Sequence, residues 1–378
     1  MPTEICRKLG LQFPIFAFSH CRDVVVAVSK AGGIGIYGGA LHTPEQVRID
    51  LSWIERQLGG APYGVDLLLA QKYVSASEEG IARQIPDGHR VFLDGVMERY
   101  QVPDTSAKTD DVSGLLGATK FTPEQNAAVL DVVFEHNARI FVSALGTPSA
   151  EIIGRARAKG MLVGALAGNA RHALRHKAAG LDFVVASAYE AGGHTGEIGS
   201  MVLIPDVVDA VEPMPVLAAG GIGRGRQMAA ALALGAQGVW CGSIWLASVE
   251  SDVLPLVKEK LIAADATQSV RTRCFTGKPA RFLKSAWSEE WEKPEAPSPL
   301  PAPLQTALIS TYMQRISAAA ASGKATANDG PGQLISSPVG QIVGSITSSL
   351  SSRDIVRNLV EEMAETVSRL GNLFEEAG

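Results

Sequence analysis

The sequence predicts an α/β protein built on a (β/α)8 TIM barrel, with an inserted segment and an appended C-terminal helical region. Between about residues 10 and 245, short apolar runs alternate with segments that have helical patterns. Most of these runs are almost continuously apolar, which is typical of parallel strands covered on both faces. Eight strands with intervening helices in about 235 residues fit such a barrel in number and length. A doubly wound open sheet is the alternative that strand counting leaves open.

The predicted strands are distributed evenly along this part of the chain. In order, they are Pro14–Phe18, Gly33–Tyr37, Tyr63–Leu69, Arg139–Ala144, Met161–Leu166, Asp182–Ser187, Pro215–Ala219 and Gln237–Cys241. Two of the intervening helices have a clear start signal: a Thr N-cap, a Pro at the first helical position and a Gln three residues after the Thr. This signal occurs at Thr43–Gln46 and again at Thr122–Gln125.

One region interrupts the alternation inside the barrel. Residues 70–121 are too many for one helix and its turns, and they include the polar stretch from Val102 to Asp111. We interpret them as an insertion after the third strand, with a short strand predicted at Arg90–Leu93. The insertion is a candidate for a lid or for a contact between two copies of the chain.

The barrel domain is predicted to cover residues 1–284, and the C-terminal region begins after it. Five of the ten residues from Pro294 to Pro303 are proline, so this piece is extended and not helical. A helix at Leu304–Ala319 and a final amphipathic helix at Ser352–Phe374 follow. Residues 285–378 are therefore predicted to be a Pro-rich linker and helices that pack on the barrel.

Composition excludes several classes of function. The chain has 378 residues, of which 46% are hydrophobic, and a formal net charge of −5. Without a long basic block, nucleic acid or an anionic membrane is not expected as a partner. No apolar run is long enough to span a membrane, and the N-terminal residues lack a signal-peptide core, so a cytoplasmic protein is expected. The cysteines form no CxxC pair, which argues against a zinc site or a disulfide framework; they are Cys6, Cys21, Cys241 and Cys274.

The strongest chemical signal is the turn Ala191-Gly192-Gly193-His194-Thr195-Gly196, directly after the sixth predicted strand. Its glycines allow the backbone to approach a flat ligand closely. Histidine is the side chain whose ordinary pKa suits proton transfer near neutral pH. At the end of a barrel strand, where reactive groups of this fold lie, His194 is predicted to be catalytic.

The ends of the seventh and eighth predicted strands carry a second signal. The seventh runs into Gly220-Gly221-Ile222-Gly223, followed by an alanine-rich helix, and the eighth runs into Trp240-Cys241-Gly242-Ser243. Glycine amides and a helix N-terminus both favour an anion, and TIM barrels often bind phosphate at these two strand ends. The pair of turns therefore predicts a phosphate site.

Several separated motifs resemble the nitronate monooxygenase family. The segment Pro215–Ser248 resembles it, and so does the turn Glu190–Gly196. Ala31–Gly35, Phe275–Arg281 and the pair Gly340-Gln341 are similar to further family motifs, so the resemblance covers about residues 10–370. It implies FMN bound to a (β/α)8 barrel, in an oxidoreductase that oxidises a small alkyl nitronate or nitroalkane with dioxygen.

The resemblance also implies roles for individual residues. His194 matches the base that takes a proton from the substrate carbon, and Gly192 is expected to lie against the flavin. FMN phosphate contacts are implied at Gly220, Gly221, Trp240, Cys241, Gly242 and Ser243. Other positions expected beside the cofactor are Ala17, Asp66, Ser187 and Gly193. No metal is implied.

This chain departs from the family pattern at three places. The segment Phe16–His20 replaces a methionine-containing one, Asp66 stands where asparagine is common, and Ser187 stands where glutamine is usual. Because each position is expected near the flavin, two related functions stay open. The protein is either of the nitronate monooxygenase type or an NAD(P)H-dependent flavin reductase acting on an enoyl thioester or a quinone. A phosphate-binding barrel enzyme without flavin and a non-catalytic binding protein are weaker alternatives, and a homodimer is a candidate assembly.

Several other polar residues have a structural interpretation as well as a functional one. His20, at the end of the first strand, faces either the pocket or the surface. His172 and His176 are one helical turn apart, but without a third ligand a metal site is disfavoured. Asp66 needs a partner for its carboxylate, and Lys72 is one candidate. Lys72 and Tyr73 are also candidates for the pocket wall.

Overall fold

The computed structural model describes residues 3–69, 80, 83–104, 123–322 and 325–375. Its centre is a closed barrel of eight parallel strands in the order β1-β2-β3-β4-β5-β6-β8-β9, with β9 paired to β1. This closure confirms the predicted TIM barrel and excludes the open sheet. The strands are β1 Ile15–Ser19, β2 Ile34–Gly38, β3 Tyr63–Leu67, β4 Ile140–Ser143, β5 Leu162–Ala167, β6 Phe183–Ser187, β8 Val216–Ala219 and β9 Gly238–Cys241. All eight predicted strands are present, with ends shifted by at most two residues.

Successive side chains along each strand point alternately into the barrel and toward the surrounding helices. The interior is packed with apolar side chains, among them Phe16, Ile36, Val142, Phe183, Leu217 and Trp240. Residues one position away face outward instead: Ala17 and Cys241 belong to a cluster with the surrounding helices. The same alternation places Asp66 and Ser187 on the inner face, because Val65 on β3 and Ala186 on β6 pack outward.

Helices surround the barrel and extend beyond it. In chain order they are α1 Glu4–Leu9, α2 Arg22–Lys30, α3 Pro44–Leu58, α4 Asp87–Arg99, α5 Pro123–Glu135, α6 Ala150–Ala158, α7 Ala170–Ala178, α8 Ser200–Val211, α9 Gly225–Ala233, α10 Pro255–Ala263, α11 Ala286–Glu290, α12 Leu304–Ala321, α13 Pro331–Leu334 and α14 Ser352–Glu375. The Thr43 hydroxyl accepts a hydrogen bond from the Gln46 amide, which confirms the N-cap of α3. The matching signal at Thr122 lies outside the described residues.

The predicted strand at Arg90–Leu93 is wrong, because these residues belong to α4. Leu93, Val96 and Met97 recur at helical spacing and are buried in one cluster with Trp287 and Ile309 of the C-terminal region. This part of the insertion therefore shares a hydrophobic core with residues 285–346. Lys72 and Tyr73 lie outside the described residues.

A second, three-stranded antiparallel sheet lies beside the barrel. It has the order β10-β11-β7, in which β10 is Ser269–Thr272, β11 is Ala280–Leu283 and β7 is Gly193–His194. The short strand β7 is part of the glycine-rich turn after β6, so this sheet reaches into the barrel's functional end. Within the described ranges, no helix is both long enough and apolar enough to cross a membrane.

Candidate active site

The candidate site lies at the barrel mouth, which is the end where the strands have their carboxyl termini. The turn after β6 crosses this end and pairs with β11, with His194 opposite Ala280 and Gly193 opposite Arg281. A segment that the sequence places in a loop is therefore held at Gly193 and His194 by pairing with β11. His194 sits at a defined position, as a catalytic side chain requires.

The imidazole of His194 has a single described partner. Its Nε2 atom lies 2.9 Å from the Thr276 hydroxyl oxygen. The side chain keeps solvent-accessible surface, and yet surrounding protein lowers its pKa, with the positive charge of Lys278 adding to the effect. Both causes disfavour the imidazolium ion. His194 is thus neutral near pH 7 and able to accept a proton.

Arg281 holds the start of this turn. Its Nε and Nη2 atoms donate to the Tyr189 carbonyl at 3.2 and 3.1 Å, and Nη1 donates to the Ser269 carbonyl at 2.8 Å. The guanidinium also lies 4.6 Å from the centre of the Tyr189 ring. Arg281 is only 2% exposed and, in the described part of the chain, has no carboxylate partner. The sequence offered Arg281 only as part of a motif, without a role.

The C-terminal region closes the other side of the turn. A Cβ atom on Gly192 would lie 2.8 Å from the Gly340 nitrogen, so only glycine allows this approach. The Gln341 amide donates to the Glu190 carbonyl at 3.0 Å. The Gly340-Gln341 pair therefore packs on the His194 turn, and the glycine at 192 is explained by that contact.

Free amides lie at the two predicted phosphate turns. Gly220 and Gly221 have positive φ angles of 99° and 70°. Among the described groups, none accepts a hydrogen bond from the amides of Gly221, Ile222, Gly242 or Ser243. The Ser243 hydroxyl accepts from the Gly340 amide at 2.9 Å and keeps its own proton to donate. These donors lie across the ends of β8 and β9 and could hold an anion there.

The helix N-terminus expected to contribute to this site already has side-chain partners at and just before its first amide. Gln227 Oε1 accepts from the amides of Gly223 and Arg224, and Glu362 Oε2 accepts from the Gly225 amide. The Gly225 amide at the start of α9 and the two amides before it are therefore satisfied by side chains of the protein. The loop amides are therefore the better candidates to hold an anion here, since the Gly225 amide at the start of α9 already has a carboxylate partner.

Asp66 is an unusual group at this end of the barrel. Its side chain faces inward, the residue is 4% exposed, and no hydrogen bond joins its carboxyl to any described residue. Burial raises its pKa well above the ordinary value. Burial thus favours the neutral acid, which can donate a hydrogen bond, over the carboxylate.

His20 lies on the mouth side of β1. Its Nδ1 atom is 2.7 Å from the Gly38 carbonyl, which can only accept, so Nδ1 carries the proton. A Cβ on Gly38 would lie 2.7 Å from the same nitrogen, so the imidazole fills the space that glycine leaves. Its ring packs edge-on against Phe18, which stacks on Trp240. Burial lowers the pKa of His20 to about 4. The ring is therefore packed inside the protein and does not face the surface.

Other sequence candidates are placed away from the mouth. The side chains of Ala17 and Cys241 face the helix layer, so only their main chains are available to a ligand. Burial raises the pKa of the Cys241 thiol to about 12, which is unsuited to a nucleophile. Both ring nitrogens of His176 have partners, the Thr147 hydroxyl and the Leu166 carbonyl. His176 thus has a structural role.

A cavity of about 590 Å³ lies behind the Gly221 turn. Its walls come from α8, α9 and the turn at residues 341–345, including Met201, Ala230 and Gln341. Glu190, Gly221 and Ile222 of the turns at the barrel mouth also line this cavity, whereas His194 is not among its lining residues.

Comparison with known proteins shows the family of the chain. The sequence profile of nitronate monooxygenase matches residues 8–362. The chain is 50% identical to the putative monooxygenase Rv1533 of Mycobacterium tuberculosis, over 99% of this chain and 100% of that protein. It is 28% identical to a probable nitronate monooxygenase of Staphylococcus aureus, over 90% and 91% of the two chains.

Two solved structures are similar over almost the whole chain. The nitroalkane oxidase of Streptomyces ansochromogenes aligns with a TM-score of 0.75 and 28% identity, covering 95% of this chain and 98% of that one. FabK of Thermotoga maritima aligns with a TM-score of 0.70 and 26% identity, covering 99% of both chains.

Proposed function

The chain belongs to the nitronate monooxygenase family of oxidoreductases, and we propose that it uses FMN to oxidise an alkyl nitronate or nitroalkane with dioxygen. The observation that carries this proposal is the position of His194, a neutral imidazole fixed at the barrel mouth by the pairing of β7 with β11. It lies at the same end of the barrel as the free amides of the β8 and β9 turns.

The residues at this end fit a flavin mononucleotide. The amides of Gly221, Ile222, Gly242 and Ser243, with the Ser243 hydroxyl, would hold its phosphate. The inner-face residues Asp66, Ser187 and Trp240, with the main chains of Ala17, Gly192, Gly193, Gly220 and Cys241, would surround the remainder. FMN, when bound, supplies the electron acceptor. In its neutral form, which burial favours, Asp66 would donate a hydrogen bond there.

Proton removal is the step that the protein's own side chains perform. The carbon that bears the nitro group must lose a proton before it can be oxidised, and the neutral His194 imidazole is the base for it. A positioned base contributes on the order of 10²–10⁴ in rate. A preformed nitronate has already lost this proton. Comparing the nitroalkane with its nitronate therefore separates proton removal by His194 from the later electron transfer.

The test is the visible absorption spectrum of the freshly purified protein, followed by anaerobic titration with NADH, NADPH and a nitronate. We expect a flavin spectrum that a nitronate bleaches and that reduced nicotinamides bleach slowly or not at all. A colourless protein that does not bind added FMN would overturn the proposal and favour a phosphate-binding barrel enzyme.

A second candidate is an NAD(P)H-dependent flavin reductase that acts on an enoyl thioester or a quinone. The similarity to FabK supports it. Rapid bleaching by NADH or NADPH in the same titration would favour this activity over nitronate oxidation.

A further inference from the structure

The two ring nitrogens of His194 have different surroundings. Nε2 lies 2.9 Å from the Thr276 hydroxyl oxygen, whereas Nδ1 has no hydrogen-bond partner among the described residues. A neutral imidazole carries its proton on one nitrogen only. The nitrogen that lacks the proton is the one that can act as a base.

The hydroxyl of Thr276 has a single proton, and the structure offers it a second acceptor. Thr276 Oγ1 lies 3.1 Å from the Lys278 carbonyl oxygen, which accepts but cannot donate. The Lys278 amide approaches the same Oγ1 atom as a donor at 3.3 Å. With its proton directed to the Lys278 carbonyl, the hydroxyl presents a lone pair to His194. Nε2 must then be the donor in that contact.

We infer that Thr276 is a positioning residue that fixes the proton of His194 on Nε2 and so makes Nδ1 the basic atom. This inference rests on the proposed function, in which His194 is the base. It assigns a role to the Phe275–Arg281 motif, which the sequence identified without a function. Thr276 would act through His194 and would not itself touch the substrate.

The surrounding fold supports a fixed contact. The pairing of His194 with Ala280 brings the turn of residues 276–278 beside the imidazole. Phe275, which precedes this turn, is fully buried and stacks on Phe282 with 4.0 Å between ring centres. The charge of Lys278 also keeps His194 neutral, which is the state in which the choice of tautomer matters.

The direct test is a long-range ¹H–¹⁵N NMR spectrum of the flavin-bound protein labelled with ¹⁵N-histidine. The His194 signals are assigned from their absence in His194→Asn. We expect a protonated Nε2 and an unprotonated Nδ1 in the wild type and in Thr276→Ser, and a mixture of tautomers in Thr276→Val. A proton on Nδ1 in the wild type, or an unchanged spectrum in Thr276→Val, would overturn the inference.

Kinetics supply a second readout. For a neutral nitroalkane, Thr276→Val should lower kcat/KM about tenfold, while Thr276→Ser restores most of it and oxidation of the preformed nitronate changes little. The acidic limb of the pH profile should move to lower pH in Thr276→Val, because an acceptor that stabilises the imidazolium is lost. A move to higher pH would show that Thr276 donates to His194.

Two variants distinguish failure of this inference from failure of the proposed function. If His194→Ala keeps nitroalkane turnover, the proposed function fails. If His194→Ala reduces turnover but Thr276→Val does not, this inference alone fails.

Discussion

Glu362, on the C-terminal helix α14, accepts a hydrogen bond from the Gly225 amide at the start of the barrel helix α9, at 2.7 Å. The same carboxylate pairs with Arg224 and Arg226. A negative charge at a helix N-terminus is stabilising because of the free amides and the helix dipole. The C-terminal helix thus serves as a cap for the helix that follows the proposed phosphate turn.

Glu362→Gln is expected to destabilise the protein by about 1–2 kcal/mol at neutral pH and to weaken FMN binding. The pKa of Glu362 is lowered to about 2 from an ordinary 4.5. Its stabilising effect is therefore complete above about pH 5 and is lost as the pH falls toward 2. Thermal unfolding of both proteins between pH 3 and 7 measures this, and a constant difference across that range would contradict it.

Asp66→Asn tests the buried acid. Because burial raises the pKa of Asp66 in the folded protein, the folded state loses stability relative to the unfolded chain as the pH rises above about 4. Asparagine keeps the shape and remains neutral, so Asp66→Asn should be the more stable protein at pH 7, by about 1.4 kcal/mol for each unit of raised pKa. The difference in free energy of unfolding between Asp66→Asn and the wild type should grow as the pH rises. If Asp66→Asn is instead less stable than the wild type at pH 8, the carboxylate contributes to stability.

Arg281 and Arg271 provide a matched pair, since they face each other across β10 and β11. Buried Arg281 binds two main-chain carbonyls, whereas Arg271, which is half-buried, pairs with the exposed carboxylate of Glu197. Arg281→Ala should cost about 2–4 kcal/mol of stability and lower nitroalkane turnover, because the His194 turn loses its support. Arg271→Ala should cost less than about 1 kcal/mol. Equal losses of stability and turnover in the two variants would show that Arg281 has no special role.

The sequence predicted the barrel well because each strand is a nearly continuous apolar run, a pattern typical of strands buried on both faces. It failed at Arg90–Leu93, where the short run Val91-Phe92-Leu93 was too brief to distinguish a strand from a helix. The helical conformation of that segment is stabilised by packing against Trp287 and Ile309, which are distant in the chain.

The candidate site was predictable only in part. His194 was identifiable because glycines surround it at a strand end, which is a local signal. Arg281 and Glu362 act across 92 and 137 residues of chain, so nothing near them in the sequence reveals their contacts. Glu362 also occupies the helix end that was expected to bind an anion, which only the folded protein can show.

The most direct measurement is anaerobic stopped-flow reduction of the bound flavin in wild type and His194→Ala, with a nitroalkane and with its preformed nitronate. We predict that both substrates bleach the wild-type flavin. In His194→Ala, which should keep its flavin, reduction by the nitroalkane should fall by about 10²–10⁴ while the nitronate still reacts. Equal rates with the nitroalkane in the two proteins, or no bleaching of the wild type by either substrate, would contradict this account.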